Sequence, residues 1–73
     1  MKQEYIKTYN FLKGYMETKG RKVFNELSIK EYNTYAKEYG LLNTYSLAYI
    51  SGLSWREFKY KILRENPKEI TNV

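Results

Sequence analysis

The sequence predicts an all-α fold, a compact bundle of about four helices, and three observations carry that expectation. Apolar residues recur at steps of three and four rather than two. Two serine–glutamate pairs with S-x-x-E spacing, Ser28 with Glu31 and Ser54 with Glu57, each stand ahead of such a stretch. Glycines and the single proline, Pro67, punctuate the ends of the stretches. No alternating run is long enough for a strand. Residues 1–66 read as one helical domain and 67–73 as a flexible C-terminal tail.

Residues 2–19 form the first expected helix. Tyr5, Tyr9, Leu12 and Met16 share a stripe, and Ile6, Phe11 and Tyr15 widen it. Gly20 stands where a left-handed residue would close the helix. Gly14 lies inside and weakens it slightly. Residues 20–27, GRKVFNEL, read as a connection with Val23 and Phe24 tucked into the core. Lys19, Arg21 and Lys22 make a basic cluster there. It fits either the charge bias that a helix dipole favours at a C-terminus or a contact to phosphate.

Ser28 opens the second helix, with Leu27 placed to staple onto Tyr32. Ile29, Tyr32, Ala36 and Tyr39 form its apolar stripe, and Gly40 ends it. Residues 41–53, LLNTYSLAYISGL, carry no charge. A short third helix over 44–51 is expected within them, buried on most sides. The fourth helix runs from Ser54 to about Asn66, stapled by Leu53 and Phe58 and stopped by Pro67.

The totals narrow the chemistry. A chain of 73 residues is one small domain. Without cysteine or histidine it has no disulfide, no thiolate metal site and no imidazole base, so neither a metal nor a cofactor is expected. No set of nucleophile, base and oxyanion donors is visible, which argues against an enzyme. Nine Tyr, three Phe and one Trp supply large rings for a small core. No apolar run approaches the roughly 20 residues of a membrane span, and Lys2, Glu4, Lys7 and Lys13 interrupt any signal peptide. A cytoplasmic location is the expectation. The net charge of +5 suits a polyanionic partner. The abundance of Lys, Asn, Ile and Tyr is the bias of an AT-rich genome, as in a low-GC bacterium or its phages and plasmids.

The segment Ala48-x-x-x-Gly52-Leu53-Ser54-x-x-x-Phe58 resembles the helix-turn-helix of bacterial and phage DNA-binding proteins, over residues 44–63, and the element as a whole is placed at 44–65. In that family a small residue sits where the helices cross, a glycine opens the turn, and two apolar residues anchor the turn and dock the recognition helix. Ala48, Gly52, Leu53 and Phe58 fill those places in order. The family sets a further apolar anchor three residues after Phe58; here that residue is Lys61, and Ile62 follows on the face of Phe58. A second register, Ala36-x-x-x-Gly40-Leu41, repeats the spacing. Its following helix would dock through polar Ser46 and present no basic residue, so the later register is preferred.

The resemblance implies that the last helix enters the major groove of DNA. With Phe58 and Ile62 inward, Ser54, Arg56, Lys59, Tyr60 and Arg64 would face outward, with Leu63 at the margin. Arg56 suits a guanine edge. Lys59 and Arg64 suit phosphates, and Tyr60 a thymine methyl or a phosphate. Arg21 and Lys22 are flanking candidates. Trp55 fits either packing or a surface role. The expected function is a small DNA-binding transcriptional regulator or DNA-processing accessory factor of a phage, plasmid or mobile element, bound to duplex DNA without a cofactor, with a homodimer as one form. The alternative is an inhibitor or adaptor that binds a host protein through a tyrosine-rich helical surface.

Overall fold

The structure, a computed structural model, describes residues 2–67. Five helices and no strand occur among them: α1 Lys2–Lys19, α2 Arg21–Asn25, α3 Ile29–Tyr39, α4 Thr44–Ser51 and α5 Trp55–Glu65. The chain is all-α, with one helix more than expected. Beyond Pro67, the expected tail lies outside the described residues.

The additional helix is α2, in the segment read as a connection. Gly20 has φ 99° and ψ 155°, an extended positive-φ conformation rather than a left-handed helical one. It reverses the chain at once, so Arg21 begins a new turn. Within that turn Phe24 is fully buried, whereas Val23 is nearly half exposed on the outer side. One apolar residue, not two, joins the core here.

The helix starts are set by local side-chain chemistry. Ser28 Oγ accepts from Glu31 N at 3.1 Å, and Glu31 Oε1 accepts from Ser28 N at 3.2 Å. Ser54 and Glu57 repeat the exchange at 3.2 and 2.9 Å. Both capping boxes therefore satisfy donors that the first helical turn leaves without partners. Asn43 caps α4, its Oδ1 accepting from Ser46 N at 2.8 Å.

The core takes Leu12 and Met16 from α1, Phe24 from α2, Leu27 from the loop, Tyr32 and Ala36 from α3, Leu47 from α4, and Phe58 and Ile62 from α5. Tyr5 and Tyr9 are half buried, edge-on to Phe58 at 6.0 and 6.4 Å. The α1 stripe is turned slightly from the expected one. Thr8 is fully buried and Ile6 is exposed. Thr8 fits because its hydroxyl accepts from Leu42 N at 3.0 Å. Ile29 and Tyr39, the first and last residues of α3, are about half exposed because they extend past the core.

The uncharged segment is the largest departure. Leu47 alone is buried in α4, while Tyr45 and Tyr49 are 81% and 82% exposed. Two helical turns present one narrow face to the bundle, and the opposite face remains in solvent. Polar anchors hold the start of α4. Thr44 N donates to Asn33 Oδ1 at 2.9 Å, and the Tyr32 hydroxyl donates to Leu42 O. Burial pushes the Tyr32 phenol up to about 12. No helix among the described residues is long and apolar enough to cross a membrane.

Candidate nucleic-acid interface

The turn from α4 to α5 begins at Gly52, which has φ 75° and ψ 15° and donates its N–H to Ala48 O at 2.7 Å. A side chain at this φ would be strained, which explains the glycine. Leu53 N then donates to Ser51 Oγ at 3.2 Å, and the Ser54 cap starts α5. Gly40 is left-handed too, with φ 68°, and Leu41 N donates to Ala36 O at 2.9 Å. Both glycines of the two competing registers thus close a helix in the same way. What separates them is the helix that follows. Ser46 lies half buried in α4, which has no charged residue, whereas Phe58 and Ile62 of α5 are fully buried. Ala48 and Leu53 are half buried at the junction.

Two residues expected at the surface are structural instead. Lys59 is only 8% exposed. Its Nζ donates to Asn25 O at 2.7 Å and to Leu27 O at 2.9 Å, and it lies 5.5 Å from the centre of the Trp55 ring. Burial, and then the nearby Arg56 charge, pull its pKa below the usual lysine value. A lysine used this way holds the end of α2 to α5 and has no reach to phosphate. Arg21 is the second. Its guanidinium donates to Asn66 O at 2.8 Å and Leu63 O at 3.1 Å. It thereby satisfies carbonyls at the C-terminal end of α5, where a cation also suits the helix dipole. Trp55 belongs to the packing. Its Nε1 donates to Leu27 O at 2.9 Å, and its ring stacks on Tyr32 at 4.7 Å.

The signal for Lys59 was present in the spacing. Trp55, Phe58, Lys59, Ile62 and Asn66 stand at i, i+3, i+4, i+7 and i+11, one helical face. Charge hid the membership of Lys59 in that face. Its long stem can follow the core while its head meets carbonyls.

The outward face of α5 consists of Arg56, Glu57, Tyr60, Lys61 and Arg64. With Leu53 these line a shallow groove of about 390 Å³. Lys61, not named from the sequence as a contact residue, therefore replaces Lys59 on this side. It forms an ion pair with Glu65, which raises the lysine pKa and lowers that of the carboxylate. Glu65 also accepts from the Tyr9 hydroxyl at 2.8 Å. Glu57 is committed to the Ser54 cap. Arg56 and Arg64 remain the two cations on this face without an ion pair among the described residues. They lie about 12 Å apart along the helix, from its rise of about 1.5 Å per residue. The Arg64 guanidinium sits 5.6 Å from the centre of the Tyr60 ring, which is itself mostly exposed. Ser54 is exposed at the helix start, and Lys22 is exposed on α2.

This face offers two guanidinium groups, one phenol and one paired amine on a rigid helix. That set can contact phosphate oxygens and the acceptor edges of bases. No group of three or more acidic, histidine or cysteine side chains able to hold a metal occurs among the described residues. Comparisons with family models, with curated proteins and with solved structures find no match to this chain.

Proposed function

We propose that the chain is a small duplex-DNA-binding protein that works through a helix-turn-helix over residues 44–65, as a regulator or DNA-processing accessory factor of a phage, plasmid or mobile element. One observation carries this reading. After a left-handed glycine turn, α5 buries Phe58 and Ile62 and turns Arg56, Tyr60 and Arg64 to solvent. Arg56, in the first turn of α5, is assigned to a base edge, with guanine as the best acceptor pair. Arg64 and Lys22 are assigned to phosphates, and Tyr60 to a thymine methyl or a phosphate oxygen. Ser54 flanks the same end of the helix. Lys59 and Arg21 are withdrawn from this role.

Titration of a fluorescent duplex pool across a salt series tests the reading. Binding should be strong near about 50 mM salt and fall linearly in log–log form as salt rises. Arg64→Ala should flatten the slope by about one unit and weaken all sequences alike. Arg56→Ala should cost about 1–3 kcal/mol at a selected site and relax one base position. Absence of duplex binding near about 50 mM salt would overturn the proposal.

A second reading has its own observation. Tyr45 and Tyr49 lie one turn apart on α4, each more than four-fifths exposed, with Ile50 beside them. Exposed aromatics of this kind are enriched at protein interfaces. On that reading the chain is an inhibitor or adaptor that binds a host protein through α4. Tyr45→Ala and Tyr49→Ala would then abolish the protein contact and leave any DNA affinity intact.

A further inference from the structure

A different surface carries an inference that uses no residue of α5. Phe11 and Tyr15 of α1 meet Tyr35 and Tyr39 of α3 ring to ring. The Phe11 ring lies 5.8 Å from that of Tyr35 and 5.5 Å from that of Tyr39, and Tyr15 lies 5.8 Å from Tyr35. The rings frame an open groove of about 480 Å³ that reaches from Asn10 to Lys19 along α1. Gly14 forms part of its lining.

Gly14 is the unexplained residue. It sits in the interior of an 18-residue helix, where glycine is less favourable than alanine. Apart from its chain neighbours and the backbone of its own helix, no atom of the described residues lies within 4 Å of where its Cβ would be. The helix interior has no positive φ at this position. Neither the backbone nor the packing within one copy therefore requires glycine. A glycine with open space above it lets another backbone approach closely.

We propose that this groove docks a second copy of the chain, with the two α1 helices crossing antiparallel at Gly14. Charge selects this occupant. Of the residues lining the groove, Lys19 alone is charged, in a chain whose composition is 29% charged and whose net charge is +5. A polyanion or an acidic protein would find a single amine here. Two like-charged copies, by contrast, can meet where each is nearly neutral. An antiparallel crossing also separates the amines: Lys19 stands five residues after Gly14 in each copy, so the two lie on opposite sides of the crossing, about 15 Å apart along the helices.

The size of the surface sets the expected strength. The groove runs about 14 Å along α1 from the helical rise, and the molecule is 20 Å across. A footprint of that size, about 280 Å² per partner before the rings interleave, is small against the roughly 600 Å² per partner of weak specific encounters. The expected association is therefore weak, with Kd of about 0.1–1 mM.

Sedimentation equilibrium on the full chain tests the proposal, without DNA. The wild type should pass from monomer to dimer as concentration rises toward about 1 mM. Gly14→Lys and Gly14→Glu each place like charges at the crossing, and each should remain monomeric. Open space above residue 14 leaves their fold intact, which circular dichroism checks. A wild type that stays monomeric to about 1 mM would overturn the proposal. So would a Gly14→Lys variant that dimerises like the wild type. The DNA proposal stands or falls separately, since Arg56→Ala should leave the sedimentation unchanged.

Discussion

The third and fourth helices expected from the sequence, α4 and α5, are neighbours joined by one turn, yet they are held in opposite ways. α4 carries no charge and still turns Tyr45 and Tyr49 to solvent. Six of the eleven residues of α5, Arg56, Glu57, Lys59, Lys61, Arg64 and Glu65, are charged, and α5 still buries three side chains. A single leucine and a set of hydrogen bonds at its start secure α4. Buried rings and stems along its length secure α5. Angular position around a helix decides burial, and composition averages that position away.

Core substitutions give the largest test of the contrast. Phe58→Ala should cost about 3–5 kcal/mol and Leu47→Ala about 2–5 kcal/mol, as full side chains leave a packed interior. The decisive measurement is hydrogen exchange in the two variants. Leu47→Ala should expose the amides of α4 first, while Phe58→Ala should loosen the whole bundle. Equal loss everywhere in both would mean that α4 and α5 form one unit.

Next comes pH. The Tyr32 phenol, which donates to the carbonyl of Leu42 ahead of α4, has a folded pKa of about 12 against an ordinary 10.0. Its neutral form is favoured by folding. The associated stability is fully present below pH 10 and is lost as pH rises to about 12. The loss should reach about 2–3 kcal/mol, at 1.36 kcal/mol per pKa unit. Thermal melts of wild type and Tyr32→Phe between these pH values check this. The variant should lack most of the alkaline drop.

Lys59 is the smaller test on the α5 side. Lys59→Ala should cost about 2 kcal/mol, because Asn25 O loses its donor while Leu27 O keeps the Trp55 N–H. Lys59→Met should fall between that variant and the wild type, since it restores the apolar stem alone. Chemical denaturation measures both. A Lys59→Ala variant as stable as wild type but with weakened DNA binding would restore the phosphate role. The smallest effect belongs to the exposed tyrosines. Tyr45→Ala and Tyr49→Ala should each change stability by less than about 0.5 kcal/mol. A larger loss in the melting curve would show that α4 is held by more than Leu47 and its polar start.

The two capping boxes, the left-handed Gly52 and the docking pair Phe58 and Ile62 were legible because each depends on residues within one or two turns. The missed features join distant parts of the chain. Lys59 reaches carbonyls 34 and 32 residues away, and Arg21 reaches carbonyls 45 and 42 residues away. Thr8 meets Leu42 across 34 residues. Local spacing says which face such a residue occupies, but its carbonyl partner appears only when helices from different parts of the chain are packed together. Arg56, Tyr60 and Arg64 of the candidate interface are exposed, as their helical positions imply. Its missing member, Lys61, stood one helical turn after Glu57 on the same outward face.

The left-handed glycines at residues 40 and 52 bracket α4 on both sides. Each ends the helix before it, so the hydrogen-bond ladder of α4 is continuous with neither α3 nor α5. Cooperative propagation of order along a helix stops at such a break. An eight-residue ladder isolated in this way, with one buried leucine, is expected to open at lower free energy than the bundle beneath it. Among the five helices, the segment between the glycines is therefore the expected place of the first proteolytic cut, with the other helices still folded.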